Sequence, residues 1–373
     1  MRHIKRTAII LEILILPLLI TVSAVENEFP RTAVINNDQP RRDINGEIID
    51  AHDGCLQFFD GQFYLYGTRY GNSDGFGNSN RYVCYSSPDL MHWTPHGEIL
   101  KDAPPRLYFR PYVIFNKATR TYVLWYHADT YGVAISEHPE GPYTIRNPDI
   151  KVKWNVNTNA QIAVKENAGK VGDLGLFVDD DGTAYIAYVH ARGHGMAFNG
   201  KNEPVPICQI GVEKLTPDYL GSTMQSSDLI GENCESPALF KRGSTYYLLF
   251  DNTCRFCTNG TGARVYTAKA PLGPYLYRGN INVQGQSASD VPASKTRLSK
   301  GRPNCIIKAQ QTHVAVLPSR VGLVYLWMGD RWGSRPDGIK GHDFQYWSSP
   351  LRFDNDGMIK QLQWEDHWTM QLP

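Results

Sequence analysis

Three carboxylic acids stand at nearly the same distance ahead of a recurring tyrosine: Asp53 lies 11 residues before Tyr64, Asp173 lies 12 before Tyr185, and Glu235 lies 11 before Tyr246. A carboxylate alone in a loop is ordinarily solvated or caps a turn. Three at one phase of a repeat converge in space if the repeat closes on itself. Converging carboxyls can do general acid–base work, one protonating a leaving oxygen while another activates water or attacks carbon, and this is what breaking a glycosidic bond requires. A third carboxylate beside the acid raises its pKa by like-charge repulsion and keeps it protonated near neutral pH.

The elements that must position these acids are short strands. Helical periodicity is almost absent, whereas apolar runs closed by turn residues recur along the chain, in keeping with its 33 Gly and 23 Pro. One hairpin unit, a run of about six residues, a polar turn and a Tyr-rich run, occurs five times. Its anchor tyrosines are Tyr64, Tyr122, Tyr185, Tyr246 and Tyr325, at intervals of 58, 63, 61 and 79 residues. Each interval has room for two further strands, which carry their own echoes in His92-Trp93, Gly141-Pro142-Tyr143 and Gly273-Pro274-Tyr275. The pattern predicts an all-β fold, a five-bladed β-propeller with four-stranded antiparallel blades, whose inner strands line an axial channel. A β-sandwich gives no reason for a tyrosine hairpin at this spacing.

Charge and composition narrow the partners. With 38 Lys and Arg against 37 Asp and Glu there is no basic field for nucleic acid. The 21 Tyr and 8 Trp suit stacking on sugars as well as filling a core. Arg2, Lys5 and Arg6 precede a largely apolar run from Thr7 to Val22, and Val22-Ser23-Ala24 carries small residues at the positions a signal peptidase reads. Residues 1–24 therefore read as a signal peptide cut after Ala24, leaving 25–373 as one propeller domain, secreted and monomeric, with no later membrane-spanning segment. Of the seven cysteines, Cys254 and Cys257 flank two residues with no second such pair nearby, which predicts a local disulfide pinning a loop.

Three segments in order, Asp53-Gly54…Asp60-Gly61-Gln62-Phe63-Tyr64, Asp173-Leu174-Gly175-Leu176-Phe177-Val178-Asp179-Asp180-Asp181-Gly182, and Glu235-Ser236-Pro237-Ala238-Leu239-Phe240, resemble glycoside hydrolase family 43. The similarity runs from about Asp43 to Trp347. It implies a five-bladed propeller acting by inversion, with Asp53 as general base, Glu235 as general acid and Asp173 as the residue that tunes and orients the acid. Arg110-Pro111, Gln310-Gln311-Thr312 and Met328-Gly329-Asp330-Arg331-Trp332 are most similar to the branch that cleaves β-1,3-galactan. That branch tends to have Gly in place of Asp53 and Glu in place of Phe109. Asp53 restores the base of the wider family, and Phe109 replaces a carboxylate with an aromatic wall.

Five residues, His52, Phe109, Arg110, Gln310 and Trp332, are candidates for substrate binding. His52 either orients Asp53 or bonds substrate, or is a structural histidine. Gln310 resembles the branch's active-site glutamine. Trp332 is placed to be a sugar platform, with Asp330 and Arg331 beside it as hydroxyl ligands or a loop ion pair. Arg110 is placed to pair with Asp173, with Glu235 or with a blade carbonyl. His313 points toward the channel, where arabinan-cleaving relatives hold a histidine near calcium; no oxygen-ligand cluster accompanies it, so a structural role is expected. The resemblance implies no required cofactor or catalytic metal, and a polysaccharide or oligosaccharide substrate built of galactose, arabinose or xylose. The alternative is a propeller that binds carbohydrate without cleaving it.

Overall fold

The computed structural model describes residues 32–156, 171–191, 197–198, 204–205, 208–254, 256–285 and 304–373; the signal peptide read at residues 1–24 lies outside them. Five antiparallel sheets follow one another along the chain. The first blade is His52–Phe59, Gln62–Arg69, Arg81–Ser87 and Thr94–Glu98. The second is Phe109–Asn116, Thr121–Ala128, Thr130–Ser136 and Thr144–Ile150. The third is Val171–Val178, Ala184–Ala191, Cys208–Leu215 and Ser222–Ser226, with a small hairpin, Ala197–Phe198 and Pro204–Val205, inserted before its third strand. The fourth is Cys234–Arg242, Thr245–Asn252, Arg264–Ala268 and Leu276–Asn280.

The fifth blade is less regular than the repeat predicts. Gln310–Ser319, Gly322–Arg331 and Phe344–Trp347 form its three strands, with no fourth among the described residues, and the chain that follows closes on itself at an isolated bridge between Phe353 and Ile359. The inner strands neighbour one another in blade order, and that of the fifth blade returns to the first, closing the ring. A two-stranded pair, Thr32–Asn36 with His367–Gln371, lies outside the blades. Its Ala33, Ile35, Trp368 and Met370 share one buried cluster with Leu56, Leu65, Leu317 and Trp347, so it seals the seam between the last blade and the first. Two further buried clusters fill the wedges between blades four and five and between three and four.

The repeated tyrosines have a physical reason. Tyr122 of the second blade donates its hydroxyl to Asp60 in the turn of the first (2.8 Å), and Tyr246 of the fourth donates to Asp179 in the turn of the third (2.6 Å). Tyr325 of the fifth reaches the Lys241 carbonyl of the fourth (3.1 Å). Each ring packs in a wedge while its hydroxyl ties neighbouring blades together, a task that needs both an apolar body and a polar tip. Glycine is required where inner strands approach most closely: a Cβ on Gly175 would run into the Pro237 carbonyl of the next blade.

Candidate active site

Every inner strand carries a register break near its start, at the same end of the ring. The breaks fall between His52 and Cys55, Phe109 and Tyr112, Val171 and Leu174, Glu235 and Ala238, and Gln311 and His313. A bulge turns adjacent side chains to one side of a strand. Three non-glycine residues in these breaks take left-handed backbone: Asp53 (φ 52°), Arg110 (φ 52°) and Ser236 (φ 57°). Such conformations cost about 1–3 kcal/mol each and persist where the surroundings enforce them. The bulges explain why the three acids occupy slightly different ladder positions, Glu235 just before the break in its strand and Asp53 and Asp173 within theirs.

The breaks surround a cleft of about 250 Å³ lined by Asp53, Asp173 and Glu235 together with Phe109, Arg110, Gln310 and Trp332. The Asp53 carboxylate is buried and accepts hydrogen bonds from Thr68 Oγ1 (2.7 Å), Tyr70 Oη (2.5 Å) and the Arg110 backbone N–H (3.2 Å). Its pKa is pushed up to about 6 by burial, against the opposing pull of the Arg110 charge and of the Tyr70 and Thr68 hydrogen bonds. Burial, reinforced by the Asp53 charge, keeps the Tyr70 hydroxyl protonated, so it remains a donor.

Arg110, on the second blade, ties it to the third, fourth and fifth. Its Nη2 donates to Asp173 Oδ2 (3.0 Å) and Ser236 Oγ (2.5 Å), and its Nη1 donates to the Thr312 carbonyl (3.3 Å). Of the three partners expected for it, Asp173 and a blade carbonyl are those observed. The same Asp173 oxygen accepts the Ser236 backbone N–H (3.1 Å) and hydroxyl (3.1 Å), so Asp173 holds in place the bulge adjoining Glu235. Glu235 Oε2 accepts the Cys254 backbone N–H (3.1 Å). Cys254 and Cys257 are disulfide-bonded as expected, and Cys55, Cys84, Cys208, Cys234 and Cys305 are buried.

His52 is fully buried beneath the cleft. Its Nδ1 meets Asp330 Oδ1 (2.9 Å) and its Nε2 meets the Gly341 carbonyl (3.2 Å), while Asp330 Oδ2 accepts the Asp53 backbone N–H (2.8 Å). Both ring nitrogens face acceptors, which favours the imidazolium. Burial opposes it, but Asp330 and Asp50 prevail and raise the pKa to about 9. His52 thus orients Asp53 through Asp330. Gln310 Oε1 accepts the Trp332 indole N–H (2.8 Å), leaving its amide nitrogen as the donor for the cleft. Trp332 is only 4% exposed and packs on His52, Tyr70 and Phe256, so it backs the cleft wall and offers little open face. Arg331 lies elsewhere, donating to the Asn37 carbonyl (3.0 Å) and covering Trp364, and contributes nothing to the cleft.

Phe109 forms an aromatic rim with Tyr70 and Phe76, and Phe76 in turn meets Phe256. His313 does not line the cleft. Its Nδ1 meets the Tyr112 hydroxyl (3.1 Å), and burial drives its pKa down to about 3 against a hydrogen bond with the Leu56 backbone. With its ring nitrogens so engaged it does not fit a calcium ligand, and the described residues hold no group of three or more His, Cys, Asp or Glu placed around a metal. Sequence reasoning missed Thr68, Tyr70 and Asp251. The first two lie on the strand after Asp53 or just beyond its end, and the third faces Glu235 across its hairpin. Only strand register reveals them.

A five-bladed propeller with carboxyls from three blades gathered at one end of its inner strands defines a class of carbohydrate-active folds. The chain belongs to that class in a particular way: residues 48–297 match the model of Glycosyl hydrolases family 43, and the protein is a member of this family. It is 26% identical over 277 residues to an arabinoxylan arabinofuranohydrolase of Bacillus subtilis (strain 168), covering 63% of this chain and 51% of that protein. It is 26% identical over 255 residues to the β-D-galactofuranosidase xynD of Aspergillus niger, covering 63% of this chain and 66% of that protein. The chain thus spans about half to two thirds of the length of these relatives. The exo-β-1,3-galactanase 1,3Gal43A of Clostridium thermocellum shares the fold, with a TM-score of 0.65 and 24% identity over 90% of this chain and 66% of that one.

Proposed function

We propose that the protein hydrolyses glycosidic bonds in a galactose-, arabinose- or xylose-containing glycan with inversion of configuration. The observation that carries this reading is Asp53, a buried carboxylate fixed by three donors, with a pKa of about 6, in the same cleft as Glu235 and Asp173. Asp53 takes a proton from water as that water attacks the anomeric carbon. Glu235 gives its proton to the leaving oxygen from the opposite side. Asp173, its charge paired with Arg110, acts on Glu235 through Ser236 and is a positioning residue. The Gln310 amide and the Phe109 rim hold the sugar in this reading. The apolar run at residues 7–22 and the Cys254–Cys257 disulfide support secretion, because such bonds persist in oxidising compartments.

The test is sugar release by the full chain from β-1,3-galactan, arabinogalactan, arabinan, xylan and aryl glycosides, beside Glu235→Gln. General acid catalysis contributes about 10²- to 10⁴-fold, so the variant should lose that much on substrates with poor leaving groups. NMR of the first product should show the inverted anomer. Binding of a glycan with no release by the native chain would overturn the hydrolase reading in favour of the non-catalytic one.

A further inference from the structure

Glu235 has a second carboxyl facing it that the proposed reaction does not use. Asp251 is the residue directly opposite Glu235 in the antiparallel ladder of the fourth blade. Residues so paired project from the same face of a sheet, with Cβ atoms about 4.5–5.5 Å apart. Asp251 has no solvent exposure. One of its oxygens accepts the Thr261 hydroxyl, and the other, Oδ1, is buried with no hydrogen-bond partner among the described residues. The charged groups acting on it are Glu235 across the hairpin, Arg110 from the second blade and Asp173 from the third. Arg264, on the next strand, spends its Nη2 on the Asp251 backbone carbonyl (2.9 Å) and on that of Asn233 (3.1 Å).

From this geometry we infer that Asp251 is a positioning residue for the general acid: it and Glu235 form a coupled carboxyl pair that retains one proton to higher pH than Glu235 would alone. The inference rests on Glu235 being the acid. Two carboxyls this close cannot both ionise without repulsion, so the loss of the pair's last proton is displaced upward. The unsatisfied Oδ1 has the same sense, since a buried carboxylate with a bare oxygen is costly and a neutral carboxyl much less so. Burial, with the Glu235 charge behind it, accordingly holds Asp251 well above the usual carboxylate range, against the hydrogen bond from Thr261. Arg110 offsets this only in part, because its guanidinium is already bonded to Asp173 and Ser236.

Asp251→Asn tests this, because the amide keeps the shape and an acceptor for Thr261 but cannot ionise. The pH dependence of kcat/KM is measured for the full chain and this variant, on a substrate with a poor leaving group and on an activated aryl glycoside, with Glu235→Gln as reference. The expected result is an alkaline limb moved down by about one pH unit or more in Asp251→Asn, an unmoved acid limb, and no change on the activated glycoside, which needs little help from an acid. A merely structural role would lower rates on both substrates and leave both limbs in place. If Glu235→Gln is inactive only on poor leaving groups while the limb of Asp251→Asn stays where it was, the coupling is overturned and the acid assignment stands. If Glu235→Gln keeps full activity, the acid assignment itself fails. Thermal unfolding of the variant gives the control for folding, and Asp251→Ser, which removes the carboxyl but keeps a small polar group, should reproduce the shift.

Discussion

The pKa of about 6 at Asp53 has a direct kinetic consequence. A base must be ionised to take a proton, so activity should rise with pH through about 6 and fall away below it, an acid limb displaced upward from the 3.8 of an ordinary aspartate. Tyr70 bonds the ionised carboxylate and therefore holds this pKa down. Tyr70→Phe should move the acid limb to higher pH and leave the alkaline limb alone. Release of sugar from an aryl glycoside across pH 4 to 8 reads this, and a limb that stays put would mean that another group is the base. Asp53 itself was legible in the sequence because its type and phase recur in other blades. Tyr70 and Thr68 were not, since nothing short of the register between the first two strands brings them to the carboxylate.

At the scale of the strand, the tyrosine repeat was readable because it serves the fold, tying the first blade to the second, the third to the fourth and the fourth to the fifth. Breaking one such tie should cost stability and little else. Tyr246→Phe removes a hydroxyl that donates to the Asp179 carboxylate, which retains Lys241 as a partner (2.6 Å). Hydrogen bonds to charged groups contribute about 1.5–3 kcal/mol, so a loss near the lower end is expected as a reduced urea midpoint. The same variant should show an unchanged kcat/KM while folded, because this contact lies at the turn ends of the strands, away from the cleft. The disulfide loop should behave in the opposite way. Its Cys254 N–H bonds Glu235 and its Phe256 packs on Tyr70 and Trp332. Replacing Cys254 and Cys257 together by serine should lower kcat and leave the unfolding temperature nearly unchanged. A fall in both would place the loop among the general supports of the fold.

At the scale of the ring, the five-fold count and the strand order were legible, but the irregular fifth blade and the sealing pair were not. The interval of 79 residues before Tyr325 signals an insertion without showing which strand is displaced. The two outermost strands, Thr32–Asn36 and His367–Gln371, lie at opposite ends of the described sequence and have no hairpin turn to announce them. Their contribution can be argued from burial. Trp368 is buried against the seam between the first and fifth blades, and its indole N–H donates to the Trp347 carbonyl (2.8 Å). Truncating a buried Trp to Ala costs about 3–5 kcal/mol, a large part of the roughly 5–15 kcal/mol that holds a domain folded. Trp368→Ala should therefore lower the unfolding midpoint sharply, while the residual folded protein keeps its KM, since no residue of the pair lines the cleft. Urea unfolding followed by tryptophan fluorescence, beside KM on the preferred glycan, separates the two. A KM that rose together with the loss of stability would show that closure of the ring also sets the distances between carboxyls drawn from different blades.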